Sequence, residues 1–530
     1  GNSNSNVAIG TFALDAAAEN DRNTVIGYGA MGAADDGEDG NVVIGYSAMA
    51  NANNAANDYN VMIGFETGTG GNGGALSYNV AIGMYALNST DTATVNEIVA
   101  IGRDACTAVT SGDANGTVAV GAFALGMLTS GQANTAVGWA AMYNGMDVGD
   151  FNTAVGYQCL YALNPGSDGH GSNTAVGYRA GYSQTTAENN TFLGARAGEA
   201  TTGSGNVIIG REAGVAMTGG SNCVIIGHAA GAANNTRNNL VLIGASAGTS
   251  LTSGDSNVFV GYQTGQNVST GDYNTLIGHQ AGAALAGSSS HNTFIGMQAG
   301  DSCNAANDGN NTAIGSEAGT NITSGTGNVV IGASAGRDSV SGNGLDTGSN
   351  NVLLGVFTRP SAANGNSEFV VGNDIEGQGN SKFTYGYGSS YVGLTAGSTT
   401  VFSSSDKRIK KNIKISEAGL SFINDLRPVT YEFKEKGELE TDFVHYKKDS
   451  TDLVKGKKGK TYHGFIAQEV KEAIDKHDGV QNGFDGWYEN EVNGEQQVGE
   501  SAFIPMLVKA VQELSSEIEN IKKTCKCMNE

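Results

Sequence analysis

One short unit governs what this chain can fold into: Asn-(Thr/Val)-(Ala/Val/Phe/Leu)-(Ile/Val/Leu)-Gly-x-x-Ala, recurring from Asn6 to Gly355 with a polar loop of variable length after each copy. Its glycine stands at 10, 27, 45, 64, 83, 102, 121, 138, 156, 177, 194, 210, 227, 244, 261, 278, 296, 315, 332 and 355, mostly 17–19 residues apart. A unit of that size buries no core by itself, so copies must stack into a parallel β-solenoid or β-roll. Within a unit such as Thr174-Ala175-Val176, period-two alternation sends the central residue inward and its neighbours outward. Tyr178-Arg179-Ala180 reads as a second short strand, its Ala small enough for a tight interior. The glycine suits a corner with positive φ or a close approach of the next coil. Asn134, Asn152, Asn173 and Asn274 suit turns whose side-chain amides bond the neighbouring rung and build a ladder.

This pattern resembles the head repeats of trimeric autotransporter adhesins of the YadA type, left-handed parallel β-rolls, and similar repeats in phage fibres. The spacing here is longer than in those adhesins, which implies longer loops. Calcium-binding nonapeptide rolls would need Gly-Gly-x-Gly-x-Asp at every turn, which is missing, although the loop Asp35-Asp36-Gly37-Glu38-Asp39 offers one acidic turn. Ice-binding solenoids would need regular Thr ladders, and Val too often replaces Thr. Aromatic residues follow several corners, among them Tyr28, Tyr46, Phe65, Trp139, Tyr157, Tyr178 and Tyr262. Packing between chains is the expected role; exposed, such a row could stack on sugar rings.

Charge separates two regions. Residues 405–530 hold 20 of the 29 basic and 23 of the 52 acidic residues, so the net charge is −3 there and −20 before it. A single lysine, Lys382, precedes position 405. A stripe of cations tracking phosphates is therefore absent, and nucleic acid is not an expected partner. Nor is membrane insertion expected, since no stretch approaches the ~20 apolar residues of a span. Neither a cofactor nor a metal site is expected. Cys106, Cys159 and Cys303 sit in or near repeat corners and read as small buried thiols; Cys525 and Cys527 read as free thiols. From Pro360 to Phe402 the repeat fades into a β-rich neck, with Tyr385, Tyr387 and Tyr391 candidates for receptor contact. The expected division is a solenoid over 1–359, a neck over 360–404 and a C-terminal α+β module over 405–530.

At that last boundary, Ser403-Ser404-Ser405-Asp406-Lys407-Arg408-Ile409-Lys410-Lys411 places serines beside a basic run. By residue type alone it is a solvated linker, with three candidate nucleophiles and Lys407, Lys410 and Lys411 as candidate bases. The junction resembles the self-cleavage site of the intramolecular chaperone at the C-terminus of phage tail spikes and fibres, the endosialidase-type chaperone or S74 peptidase family. Leu426-Arg427-Pro428-Val429-Thr430-Tyr431 and Gly464-Phe465-Ile466-Ala467-Gln468-Glu469 add to the resemblance. It implies a catalytic dyad of Ser405 and Lys410, with Asp406 between them and cleavage between Ser404 and Ser405; His463, before Gly464, reads by itself as a structural strand histidine, with orienting the site or stabilising the oxyanion as the alternative. Each chain would cut once, with no external substrate.

A helix is expected over 504–524, with Pro505 in its first turn. Ile504, Leu507, Val511, Leu514, Ile518 and Ile521 alternate spacings of three and four, a heptad seam whose late isoleucines favour three strands. Together these features suggest a homotrimeric phage tail fibre or spike, made in the host cytoplasm and carried on the virion. Its partners would be other tail proteins and a host-surface receptor, a glycan or an outer-membrane component. The alternatives are a bacterial trimeric adhesin, or a glycan-degrading spike whose enzyme domain lies outside this sequence.

Overall fold

The computed structural model describes the chain except for residues 1–3, 17–18, 35–36, 52, 71–73, 91–93, 146–148, 165–170, 234–235, 286, 304–308, 338–343, 396–400, 403–406, 442, 482–483, 485, 491–493 and 528–530. It divides into two compact units, Gly1–Ser404 and Ser405–Glu530.

The first unit is a β-solenoid. Each repeat contributes one three-residue strand, and consecutive strands pair in parallel with no slip: Thr135 with Thr153, Thr153 with Thr174, Thr174 with Thr191. Register is this strict because a one-residue shift would turn the buried residue to solvent. The central residue is fully buried in rung after rung, as at Val43, Ala100, Ala175, Phe259 and Leu353. Parallel pairing does not stop at 359. Phe369–Asn373 and Lys382–Tyr387 continue it, and only then do Ser390–Thr395 and Val401–Phe402 add antiparallel strands.

The expected second strand does not form. Tyr178, Arg179 and Ala180 lie in a turn, with Arg179 at φ 52° and Gly181 at φ 61°. The preceding rung repeats this with Gln158 and Leu160 at φ 50° and 48°. Left-handed φ at every second residue keeps the segment in a turn, and its amides still bond across rungs. Arg179 N donates to Tyr157 O at 2.9 Å, and Gly181 N to Ala197 O at 3.0 Å. Non-glycine residues at such angles cost on the order of 1 kcal/mol each, and these inter-rung bonds offset that cost. At the corner itself glycine is obligatory: Gly177 has φ 139°, and a Cβ there would stand 2.5 Å from Gly194 O.

Two polar ladders flank the strands. In the expected one, Asn152 N donates to Asn134 Oδ1 at 2.9 Å and Asn173 N to Asn152 Oδ1 at 3.0 Å, while Asn134 Nδ2 reaches Gly149 O at 2.8 Å. A second, unexpected ladder runs with opposite polarity near the surface: Asp21 N donates to Asp39 Oδ1, and Asp39 N to Asp58 Oδ1, both at 2.8 Å. In the acidic loop, Asp35 and Asp36 lie outside the described residues, and the Gly37 and Glu38 amides bond Asn20 Oδ1.

Core volume is exchanged between two positions. Where the strand centre is Ala119, Ala136 or Ala154, the fourth residue after the corner is Leu125, Met142 or Leu160; where the centre is Phe192, Phe259 or Phe294, it is Gly198, Gly265 or Gly300. All six large residues are fully buried. Packing to crystal-like density favours this compensation; where Ala175 goes with Gly181, Leu160 and Phe192 of the neighbouring rungs fill the space instead. Cys106, Cys159 and Cys303 are buried as expected, and Cys223 is buried at a ladder position that Asn fills in most units, its amide donating to Asn206 Oδ1. Burial pushes the Cys106 and Cys159 thiols up to about 12.

Candidate functional site

The second unit is assembled from short pieces around a small core. Ala418, Phe422, Val470, Ala473, Ile474, Val480 and Phe503 form its buried apolar cluster, with Phe465, Phe484 and Trp487 packed against them. The helix Leu420–Asp425 begins at Gly419, without a side-chain cap from its own sequence. Its Leu420 amide is accepted by Glu513 Oε2 at 2.7 Å, from the closing helix. That bond, with Lys509 alongside, holds the Glu513 carboxyl below its ordinary range.

The two motifs quoted from the sequence meet here. Val429–Tyr431 pairs antiparallel with Tyr462–Gly464, setting Val429 opposite Gly464 and Thr430 opposite His463. Arg427, in the first motif, holds Glu469, at the end of the second; Arg427 Nε lies 2.9 Å from Glu469 Oε2, and a second nitrogen completes a forked pair. The hydrogen-bonded guanidinium keeps the Glu469 carboxyl below its ordinary range.

Beside this strand pair is a cleft of 450 Å³ lined by Pro428, Val429, Thr430, His463, Gly464, Phe465 and Glu500. A Cβ on Gly464 would lie 3.2 Å from Glu500 Oε1, so the carboxylate reaches the strand at that point. An imidazole and a carboxylate on one cleft can relay or orient a proton. Glu500 was not singled out in the sequence, because it belongs to neither motif and reaches the cleft only through the turn that enters the closing helix.

Of the junction residues, Ser404, Ser405 and Asp406 lie outside the described residues. Lys410 follows a 3-10 turn, Lys407–Ile409, donates its backbone amide to Lys407 O at 3.2 Å, and is exposed. The closing helix spans Ile504–Cys527, a turn longer than the expected 504–524. Every residue of its seam is uncovered in the single chain, from Leu514 at 41% exposed to Val511 at 64%. Among the described residues, no cluster of three or more His, Cys, Asp or Glu could hold a metal ion, and no helix is long and apolar enough to cross a membrane.

Residues 405–479 match the sequence model of the peptidase S74 family, described as chaperone of endosialidase. No curated protein and no solved structure matches the chain.

Proposed function

We propose that this chain is the distal part of a phage tail fibre or tail spike: a homotrimeric attachment shaft made with its own C-terminal chaperone, which aligns three chains and then cuts itself free. The observation that carries this reading is the uncovered heptad seam, Ile504 through Ile521, on a unit whose own buried core is small. Six apolar side chains in a continuous stripe are costly to leave in water, and a second and third copy of the helix would cover them with the spacing the seam already has. The shaft offers matching support. In each of the twenty units the residue before the corner glycine is Ile, Val or Leu on the face away from the core, and Leu193 and Ile277 there are 47% and 36% exposed.

A shaft whose rungs pair only with their neighbours carries an open strand edge until the next rung docks, and such an edge invites misassembly. Holding three chains in register shortens that exposure. In the cleavage step Ser405 Oγ attacks the Ser404 carbonyl carbon while Lys410 takes the hydroxyl proton. The Ser404–Ser405 C–N bond then breaks as Lys410 returns the proton to the departing amine, and water hydrolyses the resulting ester. Lysine serves as such a base only when desolvated or crowded by other cations. Lys410 is exposed in one chain, so assembly, which gathers three copies of Lys407, Arg408, Lys410 and Lys411, would be what activates it. The cut leaves a kinetically trapped shaft, and exposed Tyr385 and Tyr387 near its end become candidates for receptor contact, whereas Tyr391 packs against the shaft core.

The test is intact mass under denaturing conditions. The wild type should give two fragments meeting at 404/405, while Ser405→Ala stays whole, and Leu514→Asp with Ile518→Asp should yield uncut, dissociated chains. An uncut wild type in a sample shown by sedimentation to be trimeric would refute the self-cleavage.

A further inference from the structure

Aromatic rings on the shaft are grouped rather than spread along it. After the corner glycines, Trp139, Tyr157 and Tyr178 form one stacked column, with centroids 4.8 and 5.6 Å apart. Four residues further along each unit, Tyr143, Tyr161 and Tyr182 form a second, at 5.7 and 5.0 Å. Both columns end at the same rung. Where a further ring would continue them stand Ala122 and Gly126, and the ring carbons of Tyr143 lie so close that a Cβ on Gly126 would be 3.0 Å away. Phe123, between those two, meets Trp139 and Tyr143 edge-on, at 79° and 87°. The result is a pocket of 170 Å³ lined by Phe123, Trp139, Ala140, Tyr143 and Tyr161.

We infer that this pocket is a binding site for one ring of a neutral saccharide; the inference rests on reading the shaft as an attachment element. Inside a column each ring covers its neighbour's face. At the column end no ring stacks on Trp139, which is 41% exposed, while Tyr143 is half-buried beside Gly126 and closes one side of the pocket; the electron-rich face of an aromatic ring attracts the slightly positive C–H face of a pyranose. No charged side chain lines the pocket. Arg103 lies over Phe123 but its Nε is 3.4 Å from Asp104, and Arg179 lies over Tyr182 but pairs with Glu199 at 2.9 Å. With both guanidiniums paired, on a region of net charge −20, an anionic sugar is disfavoured. A second copy of the chain is the competing occupant. An interface along the shaft needs an apolar residue in every rung, which the strand position before the glycine supplies, whereas the position after the glycine is Arg103, Arg211, His228 or Ser316 in other units.

Trp139 and Trp487 are the two tryptophans, so Trp487→Phe in the full chain leaves Trp139 as the sole reporter. Titration with maltohexaose, mannohexaose and chitohexaose should give a saturable change in Trp139 emission for at least one of them. Tyr143→Ala should weaken that binding at least tenfold. Ala122→Phe, which extends the first column over the Trp139 face without touching the core, should do the same with the melting temperature retained. The inference is overturned if no saccharide alters Trp139 emission, or if emission instead shifts with protein concentration in step with self-association. Retention on polysaccharide-coated beads that survives Ala122→Phe would also overturn this site while leaving the attachment reading standing; loss of all retention by the wild type would count against the attachment reading itself.

Discussion

Asn274→Ala tests the ladder that binds one rung to the next. Asn274 Nδ2 donates to Ser289 O at 2.8 Å, and Asn274 Oδ1 accepts the backbone amide of Asn292 at 3.0 Å. Alanine removes both. The Asn292 amide and the Ser289 carbonyl then lose these partners inside a fully buried seam. At about 1–3 kcal/mol for each buried group left unsatisfied, the local cost is about 2–6 kcal/mol. Asn292 Nδ2 suffers less, since it also donates to Ser290 O. Because rungs contact only their neighbours, the cost should stay local. Native-state hydrogen exchange on the full chain is the assay: the Asn292 amide should exchange at least roughly thirtyfold faster, at ~1.4 kcal/mol per decade, while amides around Ala136 are unchanged. Asn267→Ala, an exposed position on the same coil, serves as the control. Equal exchange in the two variants, or loss of protection spread evenly over the shaft, would refute the reasoning.

Further outcomes are expected. Ala136→Phe alone overpacks the core, costing about 1–3 kcal/mol or more, and Met142→Gly alone opens a cavity costing roughly 2–5 kcal/mol; the pair should recover much of both losses, a coupling that a double-mutant cycle in denaturant measures. A thiol reagent at pH 8 followed by mass mapping should label Cys525 in the native protein and reach Cys106, Cys159, Cys223 and Cys303 only after denaturation, since those four are buried; native labelling of Cys106 would contradict its enclosure. The Glu513 carboxyl, depressed by the Leu420 amide, stabilises the helix docking above the ordinary glutamate range, and that contribution fades as pH falls through its folded value. Protection of the Leu420 amide, its exchange rate taken relative to the intrinsic rate at each pH, should therefore fall on acidification in the wild type but not in Glu513→Gln, which keeps an acceptor oxygen.

Much of the shaft was legible in the residues. A period near 17–19 required stacking, alternation placed Ala175 inside, and Asn152 was recognisable as a ladder residue, because polarity and spacing are recorded directly in the chain. The seam of the closing helix could be read for the same reason, since three- and four-residue spacings define a helical face whatever covers it. The turn at Tyr178-Arg179-Ala180 could not. Left-handed φ at Arg179 or Leu160 leaves no mark in hydrophobic pattern, and it runs against the residues' own preference; only bonds to the rungs on either side hold it. The ladder through Asp21, Asp39 and Asp58 was hidden likewise, because solvated and ladder-forming aspartates look identical in sequence. In the C-terminal unit, the two motifs were visible separately, but the forked pair of Arg427 with Glu469 and the approach of Glu500 to Gly464 depend on strand pairing across about thirty-five residues. Periodic and local features were thus settled by sequence. Backbone handedness and the meeting of distant charges were decided by tertiary structure, where neighbouring coils and strands supply hydrogen bonds that override local preference.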